Sequence, residues 1–477
     1  AAGGAFSWKL KGAGHTLAPG DVVAPDERLA WGKTIGLGAQ HVVAMFGATF
    51  VFPLLMGLNA QLAIMMSGIA TIIFLLMVSG KVPSYLGTSA SFVGVAAAIR
   101  AQPGADSRTV TGAILIGGVV LALVGLLVHV AGSGIIHKVL PPVVTGAVVM
   151  LIGFNLAPVV ANVYWPQDQW VALLVMTFAI VCAVALKGFL GRISIFLSLV
   201  FGFVLSWLFD RGFGQITSFD AGAGKVTTHW RVNLDGVASS PWLGFPPATT
   251  TGADGKELVG LHAPTISFAA VLVVLPAIIA LIAENTGHVK AVAEMTGADL
   301  DHVMGRAIAA DGVATAVASS VGGSPTTTYA ENIGVMAATR IYSTAAYVVA
   351  AFIAIIFGLS PKFGALVAAT PGGVLGGITV VLYGMIGLLG AKIWKENNVD
   401  FANPINLVPV AAGIILGIGN TALKVSDTFE LAGIALGTIV TIAAYHLARA
   451  FAHADLRAAH DGGAMLTVGH EGIDKVK

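Results

Sequence analysis

Apolar runs of about twenty residues, separated by short polar breaks, recur along the whole chain. They lie near 34–56, 61–79, 84–99, 110–131, 141–162, 169–186, 193–209, 265–286, 304–321, 325–339, 342–358, 372–391, 405–422 and 431–451. A helix that crosses a bilayer needs roughly 20 mostly apolar residues, within a range of about 17–25. The pattern therefore predicts an all-α polytopic membrane protein with fourteen transmembrane segments. Some runs are short or interrupted, so the count carries a margin of about one. The longest polar stretch, 210–263, is rich in Gly, Thr and Asp and reads as an extracytoplasmic loop with short strands. The polar tail after Ala452 reads as frayed.

Composition agrees with the pattern. Hydrophobic residues make up 56% of the chain and charged residues 10%, against about a quarter charged in soluble domains. The formal net charge of +1 implies no nucleic-acid partner. Cys182 is the only cysteine, which excludes a disulfide framework and argues against a metal–thiolate site. No metal and no cofactor are expected. The chain opens without a short apolar, cleavable segment, so no signal peptide is read; its first residue, Ala1 in place of Met, is expected from processing or trimming. With the N-terminus in the cytoplasm, 17 of the 25 Lys and Arg fall on the inner side and 8 on the outer. That bias follows the positive-inside rule and predicts both termini inside, in a bacterial plasma (inner) membrane.

Two seven-span halves of a fourteen-span chain must be inverted across the bilayer. Gly94-Val95-Ala96-Ala97-Ala98-Ile99-Arg100 matches Gly334-Val335-Met336-Ala337-Ala338-Thr339-Arg340 at an offset of 240, and Pro141-x-x-Val144-x-Gly146 matches Pro371-x-x-Val374-x-Gly376 at an offset of 230. Inverted repeats mark secondary transporters, whose sites lie near the midplane between broken helices. Spans three and ten have that character. They open with Pro83-Ser84-Tyr85-Leu86-Gly87-Thr88-Ser89 and Gly322-Gly323-Ser324-Pro325-Thr326-Thr327-Thr328-Tyr329, whose residues suit extended backbone better than helix. Irregular backbone at that depth is tolerated only when buried in protein or lining a cavity, and the half-helix behind it points free N–H groups at the cavity.

A charge at mid-membrane costs at least about 2.5–3.5 kcal/mol, so each one needs a reason. Glu284 lies inside span eight, with His288 one turn later on the same face. Asp311 lies in span nine, Glu331 in span ten, and Gln40 and His41 in span one. The alternative for the two glutamates is a structural ion pair or hydrogen-bonded helix joint, which the lack of Lys or Arg at comparable depth argues against. His288 also reads as a satisfied helix-end histidine, and Asp311 as a cap or network residue. Gln40 and His41 suit helix–helix hydrogen bonding better than direct ligation. Glu294, Asp299 and Asp301 fall in the loop after span eight and read as solvated, while Tyr329 and Tyr383 also read as packing aromatics. Enzyme motifs of the H-E-x-x-H, G-x-S-x-G and G-x-x-x-x-G-K-[ST] types are absent. The chain is read as a non-enzyme, and its Gly-rich runs as helix-packing surfaces. A channel would line one pore with rings of charge or carbonyls, whereas isolated acids at matching depth suit a gated binding site.

Glu331-Asn332-Ile333-Gly334-Val335-Met336-Ala337-Ala338-Thr339-Arg340 resembles the signature [Q/E/P]-N-x-G-x-x-x-x-T-[R/K/G] of the nucleobase/ascorbate transporter family (nucleobase:cation symporter-2). Gln40-His41 resembles that family's first-span pair, and Ala283-Glu284-Asn285-Thr286-Gly287-His288 its eighth-span acid-and-histidine motif. The resemblance runs from about Trp31 to Ala450. Tyr85-Leu86-Gly87-Thr88-Ser89-Ala90, Thr328-Tyr329-Ala330-Glu331 and Gly287-His288-Val289-Lys290-Ala291-Val292-Ala293 look most like uracil permeases of the bacterial pyrimidine-utilisation type.

The resemblance implies a seven-plus-seven inverted repeat with short strands in broken spans 3 and 10. It implies a core domain from 34–131 and 265–358, a gate domain from 141–209 and 372–451, and the extracytoplasmic loop 210–263 between them. The implied activity is proton-coupled uptake of a nucleobase, uracil first, by alternating access in a homodimer within the lipid bilayer, with the proton gradient as energy source. A xanthine, urate or broader purine–pyrimidine symporter is the alternative; an anion transporter on the same architecture and a non-transporting receptor are the other classes. Carried over by position, Glu284 and Glu331 hydrogen-bond the base, Ser89, Ala90 and Ala330 contribute backbone contacts, and Tyr329 is a further substrate-binding residue. Tyr383 approaches from the gate, His288 and Asp311 join Glu284 in proton coupling, and Gln40, His41 and Asn332 support the site. Uracil transporters of the family place Phe where this chain has Ala90 and Gly where it has Ala330. The first change removes a stacking surface and enlarges the pocket.

Overall fold

The computed structural model describes residues 4–220, 225–252, 257–427 and 429–461. In chain order its main elements are α1 Trp31–Met56, α2 Ala60–Met77, β1 Leu86–Thr88, α3 Val93–Arg100, α4 Ser107–Ala131, α5 Pro142–Gln167, α6 Gln169–Ala185, α7 Ser194–Phe213, α8 Phe268–Thr296, α9 Met304–Ser320, β2 Thr326–Thr328, α10 Ala330–Thr339, α11 Thr344–Gly358, α12 Pro361–Ala368, α13 Gly372–Glu396, α14 Pro404–Ile418 and α15 Gly433–Phe451. Among the described residues, eight helices (α1, α2, α4, α5, α7, α8, α13 and α15) are long and apolar enough to cross a membrane, and nine if α11 and α12, bent by 84°, count as one span. The remaining apolar runs form shorter helices, such as α3, α6 and α14. The protein is thus mostly helical and of multi-pass character.

One sequence reading is corrected. The apolar run that stops near residue 286 belongs to a helix that continues to Thr296, so Glu294 is an exposed helical residue and not part of a loop. Hydropathy ends the run where His288, Lys290 and Glu294 begin, yet the backbone has no reason to stop there: no Pro intervenes, and the helix ends at Gly297 in the left-handed conformation (φ 69°).

The chain divides into two compact units, Ala1–Ile135 with Leu156–Leu382, and Ile136–Asn155 with Tyr383–Lys477. In the first, helices meet through glycine. A Cβ on Gly118 of α4 would lie 2.7 Å from the Ala316 backbone N of α9, and Cβ atoms on Gly125, Gly305 and Gly312 would collide with backbone of the facing helix. Bilayer helices gain no hydrophobic drive from meeting one another, so close backbone approach between small residues supplies the association. The pair α2–α11 uses the same device: Gly68 faces the Ala351 carbonyl, and Gly358 faces Met65.

The two strands hang from these helix pairs in the same manner. Leu86 N donates to Thr71 Oγ1 of α2 at 3.0 Å, and Thr326 N donates to Thr315 Oγ1 of α9 at 3.2 Å. Both threonines come from the helix that precedes the strand in sequence. In the loop after α7, Ile216–Asp220 pairs with Lys225–His229, and Thr249–Thr251 with Glu257–Val259. Arg231 ties that loop down, reaching Asp168 at 2.7 Å and Asp210 at 3.2 Å.

In the second unit, the start of α5 packs on α14 and α15. Trp394 Nε1 donates to Val143 O at 2.9 Å, and Asn155 Nδ2 to Gly417 O at 2.7 Å.

An N-terminal arm precedes α1. Lys9–Leu10 pairs in parallel with Glu27–Arg28. Val23, fully buried, donates its N–H to Arg340 O at 3.1 Å and accepts from Tyr342 N at 2.8 Å. Trp8 Nε1 donates to Thr344 Oγ1 at 2.7 Å. The arm thereby holds the turn that follows α10, where Arg340 adopts a left-handed φ of 58°. Losing Val23's burial and its two backbone bonds removes on the order of 3 kcal/mol of local stability. Deletion of residues 1–24 is therefore expected to accelerate amide hydrogen exchange at Tyr342 by about 100-fold, read by exchange mass spectrometry on the purified protein. Unchanged exchange there would mean that the arm is dispensable for the turn.

Candidate functional site

Leu86–Thr88 and Thr326–Thr328 pair antiparallel, with Leu86 opposite Thr328, Gly87 opposite Thr327 and Thr88 opposite Thr326. Ser89 N donates to Pro325 O at 2.9 Å, and Tyr329 N donates to Tyr85 O at 3.0 Å, which extends the ladder at each end. The chemistry of the bilayer dictates this pairing. A three-residue strand in an apolar interior leaves unpaired N–H and C=O groups, each costing several kcal/mol. Two such strands solve the problem by exchanging bonds. Gly87 is needed because a Cβ there would strike the Tyr329 ring, whose hydroxyl donates to Thr88 O at 2.8 Å and accepts from Thr49 Oγ1 at 3.1 Å.

Behind each strand a short helix begins. After β1 a tight turn, Ala90–Phe92, leads into α3, and Ser89 Oγ accepts from Ser91 N at 3.2 Å. After β2, α10 begins at Ala330 with Glu331 in its first turn. The strands are buried, yet Ala330 and Gly287 are exposed, and Ala90, Glu284, His288 and Glu331 are half-buried. The helix starts and the polar face of α8 therefore border open space. N–H groups at a helix start lack partners within the helix and carry partial positive charge, so this border can donate to acceptor atoms while the two carboxylates accept from donors.

The three consecutive threonines of β2 each serve a different polar partner. Thr327 Oγ1 donates to Glu284 Oε2 at 2.9 Å. Thr326 Oγ1 donates to Asp311 Oδ1 at 3.3 Å. Thr328 Oγ1 shares a 2.6 Å hydrogen bond with His288 Nδ1 and lies 3.4 Å from Asn285 Oδ1. Asn285 Nδ2 in turn donates to Asp311 Oδ2 at 2.7 Å. Alternation along the strand explains the division, since Thr326 and Thr328 share one face and Thr327 takes the other. Glu284 lies close enough to Glu331, and to Asp311, for their charges to repel when both are ionised.

A second cluster supports α10 from α1. Asn332 Nδ2 donates to His41 O at 3.0 Å and meets His41 Nδ1 at 3.0 Å. The His41 ring packs on Tyr347 with centroids 4.2 Å apart, and Tyr347 OH donates to Asn332 O at 3.3 Å. Gln40, its neighbour, is half-buried.

The first compact unit holds Gln40, His41, Ser89, Ala90, Glu284, His288, Asp311, Tyr329, Ala330, Glu331 and Asn332. Tyr383 lies at the start of the second segment of the other unit. Sequence reasoning passed over Asn285 and the side chains of Thr326, Thr327 and Thr328, which hydrogen-bond to Asp311, Glu284 and His288 from behind. The available signal was an amide next to an intramembrane acid and a run of hydroxyls beside a chain break in an apolar span. Among the described residues, no group of three or more His, Cys, Asp and Glu is placed to hold a metal ion.

Residues 32–426 match the family Xan_ur_permease, described as a permease family. The N-terminal arm lies before the matched range. RutG of Escherichia coli strain K12, a candidate pyrimidine permease, is 42% identical over 91% of this chain and 93% of its own length. The uracil permease of Bacillus caldolyticus is 34% identical over 87% of this chain and 92% of its own; that of Bacillus subtilis strain 168 is 32% identical over 86% and 91%. Among solved structures, SLC26A9 superposes with a TM-score of 0.59 at 14% identity, covering 87% of this chain; this chain spans 64%, less than two thirds, of that one. The transmembrane domain of the cyanobacterial bicarbonate transporter BicA gives 0.55 at 13% identity, covering 87% of this chain and 97% of that one. At such identity the likeness is one of fold. The family and these sequence relatives are permeases and not enzymes.

Proposed function

The chain belongs to this permease family, the nucleobase/ascorbate transporters, and from that premise we propose that it imports a nucleobase, uracil first, together with protons by alternating access. The observation that carries the reading is the meeting of two helix starts, at Ala90 and Ala330, with two half-buried carboxylates, Glu284 and Glu331, at an open border. Uracil presents ring N–H donors and carbonyl acceptors. Ionised carboxylates only accept, and helix-start N–H groups only donate, so the border offers the complement of both edges of the base.

In this reading Glu331 and Glu284 receive the ring N–H groups, the backbone N–H groups of Ala90 and Ala330 donate to the carbonyls, and Ser89, whose N–H is held by Pro325 O, contributes the remaining backbone contact. Tyr329 fixes β1 against the site, and Tyr383 approaches from the gate. Gln40, His41 and Asn332 hold α10 in place. Glu284, His288 and Asp311 exchange the coupling proton, whose arrival offsets buried negative charge and makes movement of the loaded core through the bilayer less costly. The energy source is the proton gradient, and no cofactor is needed.

The architecture proposed is fourteen spans in a seven-plus-seven inverted repeat, with a core from 34–131 and 265–358 and a gate from 141–209 and 372–451. The parallel suspension of β1 from Thr71 and of β2 from Thr315 supports the repeat. We further propose a homodimer in the bacterial inner membrane with both termini cytoplasmic.

The test is uptake of radiolabelled uracil by cells lacking their own uracil transport. Saturable accumulation that collapses with an uncoupler is expected. Absence of accumulation for every nucleobase sinks the reading. Competition by xanthine or urate as strong as that by unlabelled uracil would favour a broader purine–pyrimidine symporter, which the small side chain at Ala90 gives room for.

A further inference from the structure

We propose that Thr328 is a positioning residue, whose single hydroxyl hydrogen links a proton on His288 to the carboxylate of Asp311 by way of Asn285. This rests on the proton-coupled reading above and adds how one buried group senses another.

The chain of contacts crosses three elements: His288 and Asn285 on α8, Thr328 on β2 and Asp311 on α9. Its links are 2.6 Å from His288 Nδ1 to Thr328 Oγ1, 3.4 Å from Thr328 Oγ1 to Asn285 Oδ1 and 2.7 Å from Asn285 Nδ2 to Asp311 Oδ2. Asn285 and Asp311 are fully buried, and Thr328 is 3% exposed. Water does not reach the links from Thr328 through Asn285 to Asp311, so their hydrogens must be assigned within the protein, whereas His288 is half-buried and lies at the open end of the chain.

A hydroxyl has one hydrogen to give, and two neighbours compete for it. When His288 Nδ1 bears no hydrogen, it accepts from Thr328, and Asn285 Oδ1 loses that donor. When His288 is protonated, Nδ1–H donates to Thr328 Oγ1. The Thr328 hydrogen then turns to Asn285 Oδ1, and the Asn285 amide donates to Asp311. The orientation of Asn285 is not free, because an ionised carboxylate only accepts; its amide nitrogen must face Asp311. Every bond then runs in one direction, from the cationic imidazolium to the anionic carboxylate, which is the arrangement that aligned dipoles favour. No proton travels along the chain, since the amide does not pass one on. Only the hydroxyl rotates. The second Asp311 oxygen is held by Thr326 at 3.3 Å.

Other ionisable groups near this chain are Glu284 on α8 and Glu331 on α10. Lys290 on α8 is exposed. The phenols of Tyr85 and Tyr329 are hydrogen-bonded to Ser67 and to Thr88 O. Glu284 has its own hydroxyl donor in Thr327, so it does not compete for that of Thr328.

The test uses the full chain and compares uracil uptake at about pH 5.5 and about pH 8, on either side of the usual imidazole range. Thr328→Val keeps the shape and removes the hydroxyl; Thr328→Ser keeps the hydroxyl. The valine variant is expected to lose most of the wild-type uptake ratio between the two pH values, by about tenfold, and serine to restore it. Uracil counterflow at equal pH, which needs no net proton movement, is expected to stay within about threefold in both. A wild-type pH ratio in the valine variant overturns the proposal, as does a serine variant that fails like valine. Should Thr328→Val not be recovered as folded protein, Thr328→Ala removes the same hydroxyl and must give the same flattened ratio. Wild-type uptake with no dependence on pH would instead overturn the proton-coupled reading itself.

Discussion

Glu331→Gln is expected to weaken uracil binding by about 10- to 150-fold while leaving the protein folded. The amide is nearly isosteric with the carboxylate, so α10 keeps its shape, but one acceptor oxygen becomes a donor that faces the base N–H. A hydrogen bond to a charged partner is worth about 1.5–3 kcal/mol, which gives that range. Two further effects oppose each other. The variant loses a favourable charge at the start of α10, worth about 0.3–1 kcal/mol, and it relieves the repulsion with Glu284. Neither offsets the lost bond to the base. Calorimetry or scintillation proximity binding on the purified variant measures the effect, and an affinity within threefold of wild type removes Glu331 from the binding site. Glu284→Gln separates the roles. It keeps the acceptor for Thr327 but turns a donor to the base and cannot ionise, so it is expected to weaken binding as Glu331→Gln does and, at saturating uracil, to show counterflow while accumulation against a gradient disappears. Undiminished proton-driven accumulation in that variant would contradict the coupling role.

The second large effect concerns architecture. Gly312→Leu is expected to abolish the folded protein. A Cβ at Gly312 already meets the Ala122 backbone, and backbone has no rotamer into which to retreat. The helices α4 and α9 must separate along their whole contact, taking Gly118, Gly125 and Gly305 out of register as well. Overpacking a core costs typically about 1–3 kcal/mol when side chains can adjust; here the adjustment is a displaced helix that carries Asp311 and the Thr315 anchor of β2. Gly36→Leu is the control, since Gly36 is exposed on α1 with nothing within 4 Å of a built Cβ. Size-exclusion profiles of fluorescent fusions in detergent distinguish the two. A monodisperse Gly312→Leu peak matching wild type would show that the glycine seam is not required.

Apolar periodicity made the membrane class legible because a bilayer leaves a helix little choice of composition. The broken spans were legible for the opposite reason: Pro83, Gly87, Pro325 and three threonines are poor helix formers, and the structure makes β1 and β2 there. Glu284, Asp311 and Glu331 stood out because charge is expensive in lipid. What pairs with them did not. Thr326, Thr327, Thr328 and Asn285 are ordinary residues in composition, and their significance arises only when β2 is laid between α8 and α9. The course of α8 beyond residue 286 escaped the hydropathy pattern because a helix leaving the apolar zone changes its side chains without changing its backbone. The N-terminal arm was invisible for a related reason, since its hold on the Arg340 turn is made largely by backbone groups that every residue possesses.

The pairing of β1 with β2 also orders events in time. Leu86 and Thr328 are opposite in the ladder but far apart in sequence. At a synthesis rate of about 5–20 residues per second, β2 follows β1 by roughly 12–50 s. During that interval the newborn N-terminal half holds a strand whose outward backbone groups have no ladder partner, in surroundings where an unpaired polar group is costly. Those groups must be held by the insertion machinery, by lipid headgroups or by water until the second strand arrives. An N-terminal half expressed alone is therefore expected to be a substrate for quality-control proteolysis, and co-expression of the C-terminal half to rescue it. The binding site would in that case not exist until the strand from the second half of the chain has entered the membrane.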